Sequence, residues 1–157
     1  MMNSLVVYYS RFGNTKQVAE AIAEVLSSKG SARVLDMRSL SVSDLKDLDL
    51  LVAGVPTHRM NLPDDVRVLL RRFPRRILRS TYLAAFDTSY KMSRWLEHFT
   101  AARKLMSRLR RLGGKRIVRP ETFHVVESQG PLYEGEVERA KAWASSIVTR
   151  VKGRVHR

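Results

Sequence analysis

The stretch that decides the fold is Leu5–Thr15, LVVYYSRFGNT. Its first half, Leu5–Tyr9, is a short run of leucine, valine and tyrosine, and a run that is apolar on both faces predicts a fully buried strand. Its second half, Ser10–Thr15, has the composition of a turn. From Lys16 apolar residues recur at helical spacing as far as Gly30, which predicts a helix. The stretch therefore predicts a strand, a turn and a helix in direct succession.

The same alternation continues along the chain. Further strands are predicted at Arg33–Met37, Asp49–Val55 and Thr81–Phe86, and a fifth from Arg116–Val118 and Phe123–Val126, broken at Pro120. Helices are predicted at Pro63–Phe73, Phe99–Leu112 and Gly135–Val151. Alternating strands and helices indicate a doubly wound parallel α/β sheet. Because such sheets bind ligands at the carboxyl ends of their strands, we expect the site in the loops after strands one, three and four.

Composition limits the chemistry that this chain can perform. Its 157 residues suit one domain, residues 1–157, with no linker or repeat. The absence of cysteine excludes disulfides, thiolate zinc sites, iron–sulfur clusters and a cysteine nucleophile. The four histidines show no metal-ligand spacing, so we expect no metal site. No signal-peptide pattern and no run of about 18 apolar residues is found, so we expect a soluble, cytoplasmic protein.

Charge is concentrated in the middle third of the chain. The formal net charge is +14, and residues 66–119 hold 16 basic and 2 acidic residues. A one-sided basic surface is therefore predicted. It is either a solvated arginine-rich face or a surface for an acidic redox partner protein. Contact with nucleic acid or an anionic membrane through residues 66–119 stays open but is less favoured, because aromatic residues do not alternate with the charges.

The turn after the first strand suits an anion. Ser10–Thr15 leads into a helix N-terminus, where free backbone N–H groups and the helix dipole attract phosphate. Gly13 allows close backbone approach, while Ser10, Asn14 and Thr15 offer donors and Arg11 adds positive charge. Asn14 and Gln17 are also spaced as a capping box for the helix. The turn matches neither the dinucleotide fingerprint nor the P-loop pattern.

Ser10-Arg11-Phe12-Gly13-Asn14-Thr15 resembles the phosphate loop of flavodoxins, which usually reads Thr/Ser-x-Thr-Gly-Asn-Thr. The resemblance extends over nearly the whole chain. It implies a five-stranded parallel sheet in the order 2-1-3-4-5 between two layers of helices, and one FMN bound without a covalent bond. Ser10–Thr15 would hold its phosphate. Phe12 departs from the pattern, since the family has a hydroxyl there, and Arg11 supplies a compensating charge.

The segment after the third strand, Pro56-Thr57-His58-Arg59-Met60, resembles the flavodoxin loop against one face of the flavin ring. Pro56 and Thr57 match the family pattern, and His58 takes the place of its aromatic residue. Arg59 stands where the family has a glycine whose peptide flips on reduction. A side chain makes that flip costlier. The positive charge of Arg59 would instead favour the anionic reduced flavin.

The segment after the fourth strand, Asp87-Thr88-Ser89-Tyr90, resembles the family's Gly-Asp-x-x-Tyr loop, in which the tyrosine covers the outer face of the ring. Phe86 replaces the glycine. Tyr90 is suited to stacking on the ring, and Trp95 is a second candidate for that role. A response-regulator receiver has the same topology, but Tyr9-Ser10 and Val55-Pro56 stand where its acidic residues are required.

Three functions follow from this resemblance and from the charge. The first is an FMN-binding redox protein that carries electrons between a donor and an acceptor, with no catalytic residue of its own. The second is an FMN-dependent oxidoreductase on the same fold, of the NAD(P)H:quinone or protoporphyrinogen type. The third is a binding module without flavin, whose basic face holds nucleic acid or an acidic protein. Fold alone does not distinguish them.

Overall fold

The computed structural model describes residues 1–57, 61–97 and 100–155. Within these ranges the six strands are β1 (Met2–Tyr8), β2 (Gly30–Asp36), β3 (Leu50–Pro56), β4 (Tyr82–Tyr90), β5 (Lys115–Arg116) and β6 (Glu121–Val125). The five α-helices of the described residues are α1 (Asn14–Ser27), α2 (Asp64–Arg71), α3 (Arg94–Glu97), α4 (Ala101–Arg111) and α5 (Glu136–Val155). Among the described residues no helix has both the length and the apolar composition needed to cross a membrane.

The strands form one parallel sheet in the order β2-β1-β3-β4-β5, which confirms the predicted doubly wound α/β topology. The sixth strand is an addition. β5 pairs with the start of β4 at Tyr82–Leu83, and β6 pairs with its later half at Phe86–Tyr90. The predicted fifth strand is thus two separate strands on the same edge of β4. Pro120 lies between them, where a residue without an N–H interrupts the ladder.

Alternate residues of the central strands face opposite layers of helices. Leu5 and Val7 of β1 belong to the core that packs against α2 and α4, whereas Val6 belongs to the core that packs against α1 and α5. Side chains alternate in this way because the strand repeat is two residues. Both faces of β1 and β3 are therefore covered, as their apolar sequences predict.

The start of α1 differs from its prediction. Asn14 does not cap the helix, and Gln17 does not complete a capping box. The N-cap is Gly13, whose φ of +94° is left-handed, and no side chain caps the helix. Ser10 Oγ instead accepts a hydrogen bond from Gly13 N at 3.0 Å. The left-handed turn moves the helix start one residue earlier than the sequence pattern places it.

Strand β4 is longer than predicted, and the loop prediction for Asp87-Thr88-Ser89-Tyr90 is wrong. These four residues are the last four of β4. They stay in the sheet because β3 pairs with β4 as far as Thr88 and β6 pairs with it as far as Tyr90. Asp87, Thr88 and Ser89 are buried as a result. The prediction failed because polar residues at the end of a strand resemble a loop when their pairing partners are unknown.

Candidate functional site

A cavity of about 310 Å³ opens at the carboxyl ends of β1, β3 and β4, beside the N-terminus of α1. This volume lies at the lower end of the range for ligand pockets. Its lining residues come from the three predicted segments and from the end of β6: Ser10, Arg11, Phe12, Asn14, Thr15, Pro56, Thr57, Thr88, Ser89, Tyr90, Val125 and Ser128. The topology therefore brings together segments that are about 30 to 45 residues apart in the chain.

The structure separates the predicted site residues into three groups. Ten of them line the cavity: Ser10, Arg11, Phe12, Asn14, Thr15, Pro56, Thr57, Thr88, Ser89 and Tyr90. Gly13, Asp87 and Trp95 are described but are not among the residues that line it. His58, Arg59 and Met60 lie outside the described residues. As FMN contacts, all of these positions stay predictions.

Two residues that line the cavity, Val125 and Ser128, were not predicted from the sequence. They belong to the end of β6 and the segment after it. That segment folds back, because Val126 N donates to the Pro131 carbonyl at 2.9 Å and Gly130 lies against Asn14. A Cβ on Gly130 would stand 2.5 Å from Asn14 Oδ1.

The turn between β1 and α1 presents backbone donors to the cavity. Gly13 has a left-handed backbone, and a Cβ added to it would meet nothing within 4 Å, so backbone conformation alone favours glycine there. The first turn of α1 has no side-chain cap and no acidic residue. Its free N–H groups and the positive end of its dipole suit an anion. Phe12 is 55 % exposed at the mouth of the cavity, so its ring stands open to a ligand.

Two buried threonines join α1 to β4 beneath this turn. The hydroxyls of Thr15 and Thr88 are 2.8 Å apart, and both side chains are at most 5 % exposed. Each hydroxyl is the partner that the other needs in a buried position. The pair fixes the first turn of α1 against the carboxyl end of β4. The distance between the parts of the cavity wall that α1 and β4 provide is therefore fixed.

Asp87 lies under the cavity wall. Its Oδ2 accepts hydrogen bonds from Thr57 Oγ1 at 2.6 Å and from Ala102 N at 3.0 Å. Burial raises the pKa of Asp87, and hydrogen bonds from Thr122, Thr57 and Ala102 offset part of that rise. Asp87 thus connects β4 with the end of β3 and the start of α4. From this position it supports Thr57, which lines the cavity.

The two aromatic candidates occupy different places. Tyr90 ends β4, lines the cavity and is 49 % exposed, so one side of its ring is open to a ligand. The next residue, Lys91, places its Nζ 4.2 Å from the centre of the Tyr133 ring, which ties the end of β4 to the segment after β6. Trp95 lies in α3, is 65 % exposed and is not among the residues that line the described cavity.

A charged cluster anchors β6. Glu136 Oε2 accepts from His124 N and from Arg139 Nη2, both at 2.7 Å, and Arg139 Nη1 donates to Glu121 at 2.9 Å. Burial acts to raise the pKa of Glu136, but the bonds from Arg139 and His124 outweigh it and the pKa is lowered. His124 is thus a structural residue of the strand. No group of three or more potential metal ligands occurs within residues 1–57, 61–97 and 100–155.

Known structures resemble this fold over nearly all of the chain. An archaeal flavodoxin superposes with a TM-score of 0.73 at 19 % identity, over 96 % of this chain and 99 % of that one. Flavodoxin 2 from Bacillus cereus superposes with a TM-score of 0.77 at 20 % identity, and the match covers 94 % of this chain and 99 % of that one. A WrbA-like flavodoxin from Agrobacterium tumefaciens superposes with a TM-score of 0.71 at 19 % identity, and the match covers 98 % of this chain and 99 % of that one. Rubredoxin oxygen:oxidoreductase from Desulfovibrio gigas superposes with a TM-score of 0.74 at 16 % identity, but this chain spans only 37 % of the length of that protein.

These identities are low enough that the structural likeness shows the fold alone. No curated protein sequence matches the chain. The sequence model of the family described as Flavodoxin matches residues 6–143, which include the turn after β1, the end of β3 and all of β4. That match covers most of the chain, and the protein therefore belongs to the flavodoxin family.

Proposed function

We propose that this protein binds FMN and carries electrons between a donor and an acceptor. The observation that carries the proposal is the open N-terminus of α1, which lacks a side-chain cap and faces a cavity at the carboxyl ends of three parallel strands. Proteins of the flavodoxin family bind FMN and transfer electrons, and this chain has the family's fold. The proposal combines the family's function with the described geometry.

The residues present fit the two ends of FMN. Ser10, Asn14 and Thr15, with the backbone around Gly13, offer the donors that a phosphate needs, and no carboxylate lines the described cavity. Tyr90 and Phe12 offer exposed aromatic surface for a flat ring, and Pro56 and Val125 add apolar wall. The carboxyl ends of the strands thus supply a polar end and an apolar end, as the cofactor requires.

FMN, when bound, supplies the redox chemistry, because its ring accepts and releases one or two electrons. This chain's residues bind and orient the cofactor and exclude water from one side of it. Thr88 and Ser89, buried in β4, shape the floor, while Tyr90 covers an open side. No residue needs to act as an acid or a base, so we propose no catalytic residue. An acidic protein is the proposed redox partner, because Arg11 adds positive charge at the mouth of the cavity and no carboxylate is among its described lining residues.

An FMN-dependent oxidoreductase is the second candidate. Arg11 is exposed and lines the mouth of the cavity, where its charge would suit a nicotinamide phosphate or a carboxylated substrate. Rubredoxin oxygen:oxidoreductase and the WrbA-like flavodoxin have this fold. Consumption of NADH with a quinone acceptor, by this protein alone, would favour this candidate. Turnover only when a separate reductase is added would favour the carrier.

Flavin titration tests the proposal. Purified apoprotein is titrated into FMN and, separately, into riboflavin, and the quenching of flavin fluorescence is followed. We expect FMN to bind at least about tenfold more tightly, a difference of about 1.4 kcal/mol, because riboflavin lacks the phosphate that the α1 turn would hold. Equal affinities would show that the turn does not bind phosphate. Absence of quenching by either flavin would overturn the proposal and leave the flavin-free binding module.

A further inference from the structure

A band of arginines lies at the end of the sheet opposite the candidate site. We define the arginine band as Arg71, Arg75, Arg108, Arg110, Arg111 and Arg116. They come from the last turns of α2 and α4, the segment after α2, and β5. Three of them lie in the last turn of α4, where positive charge complements the helix dipole. The dipole does not account for Arg75 or Arg116, which lie outside the helices.

The position of the band follows from the direction of the elements. Helix α4 starts beside Asp87, at the carboxyl end of β4, and its end leads to β5, which pairs with the first two residues of β4. The segment after α2 reaches the same end, because Leu78 N donates to the Leu112 carbonyl at 2.9 Å. From Leu83 to Ser89 the strand rises about 20 Å, so the band lies roughly that far from the candidate cofactor site.

Two grooves cross the arginine band on either side of Arg111. One, of about 400 Å³, is lined by Arg103, Met106, Ser107, Arg110, Arg111, Arg116 and Pro120. The other, of about 380 Å³, is lined by Leu70, Arg71, Phe73, Arg75, Arg108, Arg111 and Leu112. Among the described lining residues, neither groove shares one with the cavity at the candidate site. Arg111 lines both grooves and joins them into one surface.

The positive charge of the arginine band is not balanced by acidic residues, because no aspartate or glutamate is among the described residues that line either groove. Within the part of the chain that the structure describes, none of the six makes a side-chain hydrogen bond or an ion pair. Their guanidinium groups therefore keep all five N–H donors available. Guanidinium binds phosphate through two parallel hydrogen bonds, which a lysine ammonium does not do.

We propose that the arginine band is a docking surface for the phosphate backbone of duplex nucleic acid. A redox partner would have to approach the cofactor, and the band lies at the other end of the sheet. A membrane surface site needs exposed apolar side chains beside its charges, but Leu70, Phe73, Met106 and Leu112 are all buried. Among the described residues that line the grooves Phe73 is the one aromatic, and because it is buried too, these residues offer no platform for stacking single-stranded bases.

A salt series tests the proposal. Binding of the full chain to a fluorescent DNA duplex of roughly 25 base pairs is followed by anisotropy, and the affinity is plotted against salt concentration. The test variant is Arg110→Gln/Arg111→Gln/Arg116→Gln. The control is Arg150→Gln/Lys152→Gln/Arg154→Gln, which removes the same charge from exposed positions of α5 on the opposite face of the sheet. Urea unfolding of both variants checks that they fold as stably as the wild type.

We expect the band variant to lose at least about tenfold in affinity and the salt slope to fall by about 2 to 3, one phosphate contact for each arginine. The α5 control should keep both values. Equal losses in the two variants would overturn the proposal, because net charge alone would then explain binding. Tighter, band-dependent binding to phosphatidylserine vesicles or to polyglutamate than to DNA would also overturn it, in favour of a membrane or an acidic protein.

Discussion

The hydroxyl of Thr57 donates to Oδ2 of Asp87 over 2.6 Å, although the two residues are 30 positions apart in the chain. The same hydroxyl accepts from Ala101 N at 3.1 Å, and Thr57 N donates to the Thr88 carbonyl at 3.0 Å. The residue that follows β3 is therefore held by β4 and by the start of α4 together. One side of the candidate FMN cavity depends on this buried carboxyl.

Asp87→Asn should change the pH dependence of stability. Burial raises the pKa of Asp87 above its unfolded value of 3.8, so its contribution to folding is complete below that value and is lost as pH rises through the folded pKa. Asparagine keeps the acceptor for Thr57 and Ala102 but does not ionise. We expect the free energy of unfolding of the variant, relative to wild type, to increase as the pH rises above about 4, the ordinary pKa of an aspartate. Urea unfolding at each pH measures it, and a difference that stays constant with pH would contradict the expectation.

The Thr15–Thr88 hydroxyl pair should show energetic coupling. Thr15→Val or Thr88→Val alone leaves one buried hydroxyl without its partner, at a cost of about 1–3 kcal/mol. The double variant removes both hydroxyls, so its loss should be smaller than the sum of the single losses by about 1 kcal/mol. A double-mutant cycle in urea measures the coupling. Strict additivity would show that the two hydroxyls do not depend on each other.

Gly13→Ala should destabilise the fold through its backbone alone. The left-handed φ of +94° costs a residue with a Cβ about 1–2 kcal/mol, while open space around Gly13 leaves no clash to add. Gly153→Ala is the matched control, because Gly153 lies within α5 with equally open surroundings, and alanine there should stabilise by up to about 1 kcal/mol. The melting temperature measured by thermal unfolding should fall for Gly13→Ala and rise for Gly153→Ala. A shift in the same direction would refute the backbone explanation.

Gly54→Ala should be among the most damaging small substitutions in β3. A Cβ at Gly54 would overlap the ring of Phe86, which is fully buried and packs edge to face against Phe123 and Trp143 at 5.9 and 6.1 Å. Overpacking of this kind costs about 1–3 kcal/mol or more. The variant Gly54→Ala/Phe86→Leu creates space for the methyl group, so it should be more stable than the sum of the single effects predicts. Urea unfolding of the two single variants and the double variant measures the free energies that this comparison needs.

Much of the site's location could be predicted from the sequence. The apolar runs predicted β1 and β3 as buried strands, and the rule for doubly wound sheets placed the ligand at their carboxyl ends. Ten of the predicted residues line one cavity there. Val125 and Ser128 could not be predicted in the same way, because β6 reaches the site only by pairing with the far half of β4.

By itself, the sequence determined the alternation of strands and helices, the strand order through its family resemblance, and the basic middle third. These depend on local patterns and composition, which a single chain displays directly. Only the tertiary structure decided that Asp87–Tyr90 remain in β4, that Gly13 and not Asn14 caps α1, and that the arginine band lies away from the cavity. The extent of β4 and the position of the band depend on pairing between distant segments, which is fixed only when the whole sheet and its helices pack together. The cap depends instead on the left-handed backbone of Gly13, whose N donates to Ser10 Oγ three residues earlier.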